Sequence, residues 1–307
     1  MPTPERTPGT SSSRLGLKVT WVFAALVAVS VAAVICVAGG VTLTTFAQAS
    51  PDRSPIKVKA AGAKATTTPW PTQTTRDASA GISRSITVVG VGDSVTSGQN
   101  CSCATFVAMY ASDLASTRGL NTSAVNLGVS GWTSVQLSQA MTKPGAFREQ
   151  VAKADGLLVT IGANDLLPLE SKQPAGCPVT CYGPMLDSVG HNVTLIVAAA
   201  RAAHPGHPPT ILVTDYWNVF QDGDVGTSEN GASFQSWSDA LTRAASNSVC
   251  TAARQAGATC VGLYAPLKGN GSKNPTALLA ADGDHPNAAG HQLIASTLLA
   301  STPQPLP

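Results

Sequence analysis

Charge is scarce in this sequence. Only 12% of its 307 residues are Asp, Glu, Lys or Arg, against about 25% in ordinary soluble chains. Aromatics are few as well, at 5%. Neither a Gly-x-Gly-x-x-Gly fingerprint nor a Walker sequence occurs, so nothing points to a dinucleotide or a nucleoside triphosphate. No Gly-x-Ser-x-Gly occurs either, which argues against the ordinary nucleophile elbow of α/β-hydrolases. Basic charge is missing where nucleic acid would need it. Residues 86–307 carry 10 basic and 14 acidic groups, and a nucleic-acid binder needs a basic footprint. No short repeat runs through the chain, so collagen and coiled coil fail too.

What is present begins with an address. Residues 1–18 hold Arg6, Arg14 and Lys18 and read as a cytoplasmic N-terminus. Residues 19–41 are uncharged; as a helix they would span about 34 Å at roughly 1.5 Å per residue, enough for a hydrocarbon core of about 30 Å. Two readings stay open. The length suits a retained transmembrane helix, which places a single-pass protein in the cell membrane with its catalytic part outside. Ala47-Gln48-Ala49 instead has the small-x-small form of a signal cleavage site, which would release the protein by secretion after cleavage near Ala49. Residues 42–85 carry scattered Pro, Lys and a Thr66-Thr67-Thr68 run without periodicity and read as a disordered linker.

One of the seven cysteines, Cys36, falls in the apolar segment. The other six are Cys101, Cys103, Cys177, Cys181, Cys250 and Cys260. An even number in an exported domain reads as disulfides, and sequence alone does not choose among the pairings. Close pairs are the default: Cys177 with Cys181, Cys250 with Cys260, and by exclusion Cys101 with Cys103. Their spacing fits no common zinc finger, and Asp222-Gly223-Asp224 does not meet the EF-hand pattern. No metal and no cofactor are expected.

From residue 86 to 302 the sequence reads as one domain of alternating strands and helices. Short apolar, β-branched runs recur at 85–90, 124–127, 156–161, 209–214 and 259–263. Helical patterns lie between them, at about 104–117, 133–141, 187–203, 232–256 and 287–300. The alternation predicts an α/β fold, a three-layer α/β/α sandwich with a mainly parallel sheet of about five strands. Ligands of such sheets sit at the carboxyl ends of the strands. The residues after the first three strands therefore draw attention, and the stretches 97–103, 132–147, 166–186 and 217–231 read as the loops that line a pocket.

After the first strand comes Gly92-Asp93-Ser94; after the second, Val129-Ser130-Gly131-Trp132; after the third, Gly162-Ala163-Asn164-Asp165. Asp282-Gly283-Asp284-His285-Pro286 precedes the last helix. A serine hydroxyl needs a base to become a nucleophile. His285 is the candidate base for Ser94, with Asp282 to hold its tautomer and stabilise the imidazolium. Asp284 is the weaker rival for that role. An oxyanion hole can come from the N–H groups of Ser94 and Gly131 and the amide of Asn164. Asp93 and Asp165 read as hydrogen-bonded structural carboxylates, His291 as a packing or capping residue, and Trp132 as a pocket or core side chain.

These four segments, in this order, resemble the conserved blocks of the SGNH or GDSL-type esterase and lipase superfamily, with Val95 where the name-giving motif has Leu. The resemblance covers about residues 86–300. It implies the three-layer SGNH-hydrolase fold, which is flavodoxin-like, hydrolysis of acyl esters, and no metal. It assigns Ser94 as nucleophile, His285 as base, Asp282 as orienter, and Gly131 and Asn164 as oxyanion donors. The expected partner is an acyl-ester substrate, lipid or acylated glycan, met by a monomer without nucleic acid. Two alternatives stand beside this reading. One is an O-acetyl esterase or acetyltransferase acting on cell-wall polysaccharide, which would use the same residues. The other is a non-catalytic binding module that retains the fold.

Overall fold

The computed structural model describes residues 85–170 and 179–304. The apolar segment, the expected linker up to residue 84 and Cys177 lie outside the described residues, and Ser85, expected as the linker's last residue, opens the first strand. Among those described, no helix is long and apolar enough to cross a membrane.

Five strands form the centre: β1 (Ser85–Gly92), β2 (Asn121–Gly128), β3 (Gly156–Thr160), β4 (Thr210–Thr214) and β5 (Thr259–Val261). Their order is β2-β1-β3-β4-β5, and every neighbouring pair is parallel. Parallel strands must be joined by crossovers, and helices supply them. These are α1 (Ser94–Ser97), α2 (Phe106–Arg118), α3 (Ser134–Thr142), α4 (Ala146–Val151), α5 (Ala163–Glu170), α6 (Gly183–Ala202), α7 (Gly223–Gln255), α8 (Tyr264–Lys268) and α9 (Ala288–Ala300). Chain order reverses between β1 and β3, and a reversal of this kind opens a crevice at the strand ends.

The two-residue period of the strands sorts their side chains onto two faces. Val88, Leu158 and Leu212 join one buried cluster with Phe106 and Leu114 of α2 and Ile294 and Leu298 of α9. Val89, Leu157, Val159, Ile211 and Val213 join the other, with Leu137 of α3 and Val193, Ile196 and Val197 of α6. Because β3 and β4 are covered on both faces, their middles are apolar without a break, with threonines only at their ends. The edge strand β2 is not: Asn121, Ser123 and Ala124 are exposed.

The expected strands and long helices are present, but three of the expected loops are partly helical. α5 occupies 163–170 with Pro168 inside it, two residues before its end; a proline there gives up one N–H bond to the carbonyl four residues back and reads as a breaker in the sequence. Residues 223–230 are helical ahead of the run expected at 232. They are polar and hold Gly223 and Gly226. The break between the two pieces falls at Gly231, whose φ of 78° is non-helical. α3 itself takes up most of 132–147.

The first crossover depends on one glycine. The N–H of Asp93 bonds to the Thr160 carbonyl at 3.1 Å, bringing the end of β1 against the end of β3. A Cβ on Gly92 would lie 2.0 Å from that same Thr160 oxygen, and its φ of +146° disfavours other residues. Gly156 at the start of β3 has nothing within 4 Å of a built Cβ. Gly92→Ala is expected to cost about 3 kcal/mol or more, and Gly156→Ala less than about 1 kcal/mol. Urea unfolding of the two variants measures the contrast. Equal midpoints would show that the close approach is not what selects glycine.

Candidate active site

The strand ends create the site. β1 stops at Gly92, Asp93 caps the short α1 by accepting the Val95 N–H at 3.1 Å, and Ser94 is the first helical residue. Asp93 is fully buried and also accepts hydrogen bonds from Thr160 Oγ1 at 3.2 Å and from the Tyr216 hydroxyl. It therefore ties α1 to β3 and to the segment after β4. Burial pushes its carboxyl up to about 6, against the pull of the Tyr216, Val95 and Thr160 donors. Tyr216 is itself held well above its ordinary range by burial and by the adjacent carboxylate, so it stays a neutral donor.

His285 is buried on the loop before α9. Its Nδ1 lies 2.6 Å from Asp282 Oδ2 and 3.7 Å from Asp284 Oδ2. The three-residue spacing therefore places Asp282, rather than its neighbour, in hydrogen-bond contact. With Nδ1–H donated to Asp282, the assigned tautomer leaves Nε2 as an acceptor. Burial alone would raise the Asp282 carboxyl. Hydrogen bonds from Asn100, His285 and the N–H groups of Asp284 and His285 overcome it and bring it down to about 2. The carboxylate is ionised at any working pH.

Ser94, Asn164 and His285 line one small cavity of about 20 Å³, together with Leu167, Tyr216, Trp217, Asn218 and Asp284. Asn164 donates through Nδ2 to the Trp132 carbonyl at 2.9 Å. One of its two amide hydrogens is used there, and the other is left for a ligand. Gly131 is not part of the cavity wall. Trp132 N–H bonds to Val129 O at 3.2 Å, and Gly131 has φ +82°, the signature of a type II turn. The turn by itself requires glycine and leaves the Gly131 N–H outside its own hydrogen bond. Trp132 packs against Phe147, ring centroids 5.5 Å apart, and lies on the core side.

The remaining sequence candidates resolve into structure. Asp165 accepts from the Ser134 N–H at 2.8 Å and Oγ at 2.7 Å, joining α5 to α3. His291 accepts the Phe106 N–H on Nδ1 at 3.2 Å. Cys101 is bonded to Cys103 and Cys250 to Cys260, each with Cα atoms 5.1 Å apart. Cys181 is disulfide-bonded, and its expected partner lies outside the described residues. Asp222 forms an ion pair with Lys268 at 2.6 Å and lines a polar cavity of about 320 Å³ that includes neither Ser94 nor His285. Two site contributors escaped the sequence. Tyr216 lies two residues past the end of β4, and strand ends were the signal, extended to one strand too few. Asn100 sits in a loop, and its contact with Asp282 has no local trace.

Tyr216 gives the site a pH signature. Asp93 titrates near 3.8 as a free carboxyl and near 6 here. Between those values the folded chain keeps a proton the unfolded chain has released, so this group's contribution to stability falls as pH rises and is level above about 6. Tyr216→Phe removes the donor that moderates this. It is expected to cost about 1–2 kcal/mol at pH 7 and clearly less at pH 4. Denaturant unfolding at the two pH values measures it; an equal loss at both would remove the Tyr216–Asp93 bond from the account.

Comparison with known proteins agrees with this geometry. Residues 91–293 match the GDSL-like Lipase/Acylhydrolase family. Among solved structures, the fold resembles a lipase from a goat rumen metagenome, with TM-score 0.57 and 18% identity over 70% of this chain and 97% of that one. It also resembles a variant of an acetyl-xylooligosaccharide esterase from Geobacillus, with TM-score 0.50 and 19% identity over 70% of this chain and 93% of that one. A third likeness is to a protein described as a GDSL-like lipase from Parabacteroides merdae, with TM-score 0.50 and 18% identity over 71% and 95% of the two chains. No curated protein matches the sequence. With two thirds of its length matched by the family and its sheet ordered as described, the chain belongs to the GDSL-like lipase/acylhydrolase family and is a carboxylic ester hydrolase.

Proposed function

We propose that the chain is an extracytoplasmic serine esterase that cleaves short-chain acyl esters through an acyl-enzyme, with Ser94, His285 and Asp282 as its triad. The observation that carries the reading is the His285 ring. It is anchored on Asp282 by Nδ1, and His285 shares one cavity wall with Ser94 and Asn164. Ser94 Oγ attacks the ester carbonyl as its proton passes to His285 Nε2. The oxyanion is met by the Ser94 N–H and the second amide hydrogen of Asn164, both on the cavity wall; the Gly131 N–H, left outside its turn's hydrogen bond, is proposed as the third donor although it is not on that wall. His285 then gives its proton to the departing alkoxide, and water releases the acid by the same route in reverse.

The cavity supports the acyl length. About 20 Å³ is room for roughly one water- or methyl-sized group. An acetyl ester fits; a long chain would have to run outward past Leu167, which is 40% exposed. The same observation favours the second reading, an O-acetyl esterase or acetyltransferase on cell-wall polysaccharide, which differs only in the acceptor. The compartment belongs to the proposal too. Residues 19–41 serve as anchor or signal, residues 42–85 as linker, and residues 86–302 as the catalytic domain outside the cytoplasm; the two disulfides described above support an oxidising location.

Ser94→Ala is expected to lower hydrolysis of p-nitrophenyl acetate by about 10³-fold or more. In the parent chain, kcat/KM is expected to fall from acetate to octanoate by at least about tenfold. Initial rates over a series of p-nitrophenyl esters measure both. Retained activity in Ser94→Ala would end the nucleophile assignment, and a rising profile with chain length would end the short-chain reading.

A further inference from the structure

The Asp282 carboxylate holds four donors. Oδ1 accepts the N–H groups of Asp284 and His285, each at 3.1 Å. Oδ2 accepts His285 Nδ1–H at 2.6 Å and Asn100 Nδ2–H at 2.5 Å. Three of these donors come from the loop that carries Asp282. The fourth comes from the stretch between α1 and α2, 182 positions away in sequence. Asn100 bonds to the same oxygen as the imidazole. An oxygen that serves two donors divides its charge between them, so Asn100 bears on where the carboxylate points and on how strongly it holds the ring proton.

Asn100 is exposed, and an exposed amide ordinarily exchanges its partner for water at little cost. The backbone around it removes that freedom. Asn100 and Ser102 are the two non-glycine residues with positive φ among those described, at 60° and 51°. Cys101 and Cys103 close a covalent bridge across Ser102, and Cys101 N–H bonds to Gly98 O at 3.3 Å. Asn accepts the left-handed region readily. Bridging Cys101 to Cys103 fixes the path on either side of Ser102 and leaves Asn100 one place from which to reach Asp282.

We propose that Asn100 is a positioning residue for ester hydrolysis, held on the Asp282 carboxylate by the Cys101–Cys103 bridge. The proposal rests on the triad reading above. The charged surroundings give the contact its importance. Asp284 lies on the same loop, 3.7 Å from His285 Nδ1 through Oδ2. Glu229 of α7 approaches through Gln221, whose amide donates to both Glu229 and the Asp282 carbonyl. His291 of α9 supplies no positive charge at neutral pH, because burial and His285 push it down to about 4. Asn100 thus donates to the Asp282 carboxylate from outside its loop, where Gln221 reaches only the backbone carbonyl. Without it the carboxylate titrates higher, and its undivided charge grips the ring proton more tightly. The tighter grip on the ring proton moves the acid limb of catalysis to higher pH, while the carboxylate itself stays ionised there.

The test uses p-nitrophenyl acetate kinetics on the full chain. Asn100→Ala is expected to lower kcat roughly tenfold with KM unchanged, and to raise the acid limb of the kcat/KM profile by about half a pH unit. Asn100→Asp, which sets a carboxylate against Asp282, is expected to lose roughly a further tenfold at neutral pH. The double variant Cys101→Ser/Cys103→Ser should show the limb shift of Asn100→Ala, and adding Asn100→Ala to it should move the limb no further. A wild-type limb and kcat in Asn100→Ala overturns the positioning role. A wild-type limb in the double cysteine variant overturns the part assigned to the bridge. Ser94→Ala in the same assay separates the two levels: hydrolysis that survives it defeats the triad reading, whereas an inactive Ser94→Ala beside a normal Asn100→Ala defeats only this proposal.

Discussion

One buried carboxylate organises the sheet edge that carries Ser94. Asp93 has no exposed surface, and its side chain adds to the sheet pairing a tie among the start of α1, the end of β3 and the segment after β4. It caps the helix that begins with Ser94, takes the Thr160 hydroxyl at the end of β3, and takes the Tyr216 hydroxyl after β4. A buried carboxylate without donors would cost several kcal/mol. With three donors it becomes a fixed knot, and Ser94 is the next residue along. Its position is therefore set by rigid elements rather than by a loop. The raised Asp93 carboxyl is the trace of the burial that this arrangement demands.

The histidine loop is secured in a different way. Asp222 N–H bonds to the Gly283 carbonyl at 2.7 Å, and Gln221 reaches the Asp282 carbonyl at 3.2 Å. A side chain at Gly283 would run into Val225 at 2.6 Å, so α7 presses directly on the turn that presents His285. The loop also bonds within itself, Ala280 N–H to His285 O at 2.7 Å. The two halves of the site thus come from one knot at the sheet and one turn braced by its neighbour.

Most of this was legible in the sequence because burial on both faces leaves a mark. Leu157-Leu158-Val159 and Ile211-Leu212-Val213 are apolar runs that only interior strands need. The four candidate segments drew attention because each stands at a strand end or just before a helix. Short elements left less trace. α8 has five residues and α4 six, too few for a periodic pattern. α5 was masked by Pro168, and residues 223–230 by their polarity and glycines. Gly131 drew attention as a candidate oxyanion donor, but its turn requires glycine regardless of chemistry. Asn100 acts through a contact that only the folded chain creates, so its neighbours do not mark it; Tyr216 follows a strand end, a signal read after the first three strands only.

The margins of the sheet have a consequence of their own. β5 has only three residues, and β2 presents Asn121, Thr122, Ser123 and Asn126 along its eight. A bare strand invites a foreign strand to dock, and natural proteins blunt such borders by shortening them or making them hydrophilic. Here one border is cut short and the other is hydrophilic. Crowded copies of this domain should therefore find little purchase for strand-to-strand accretion.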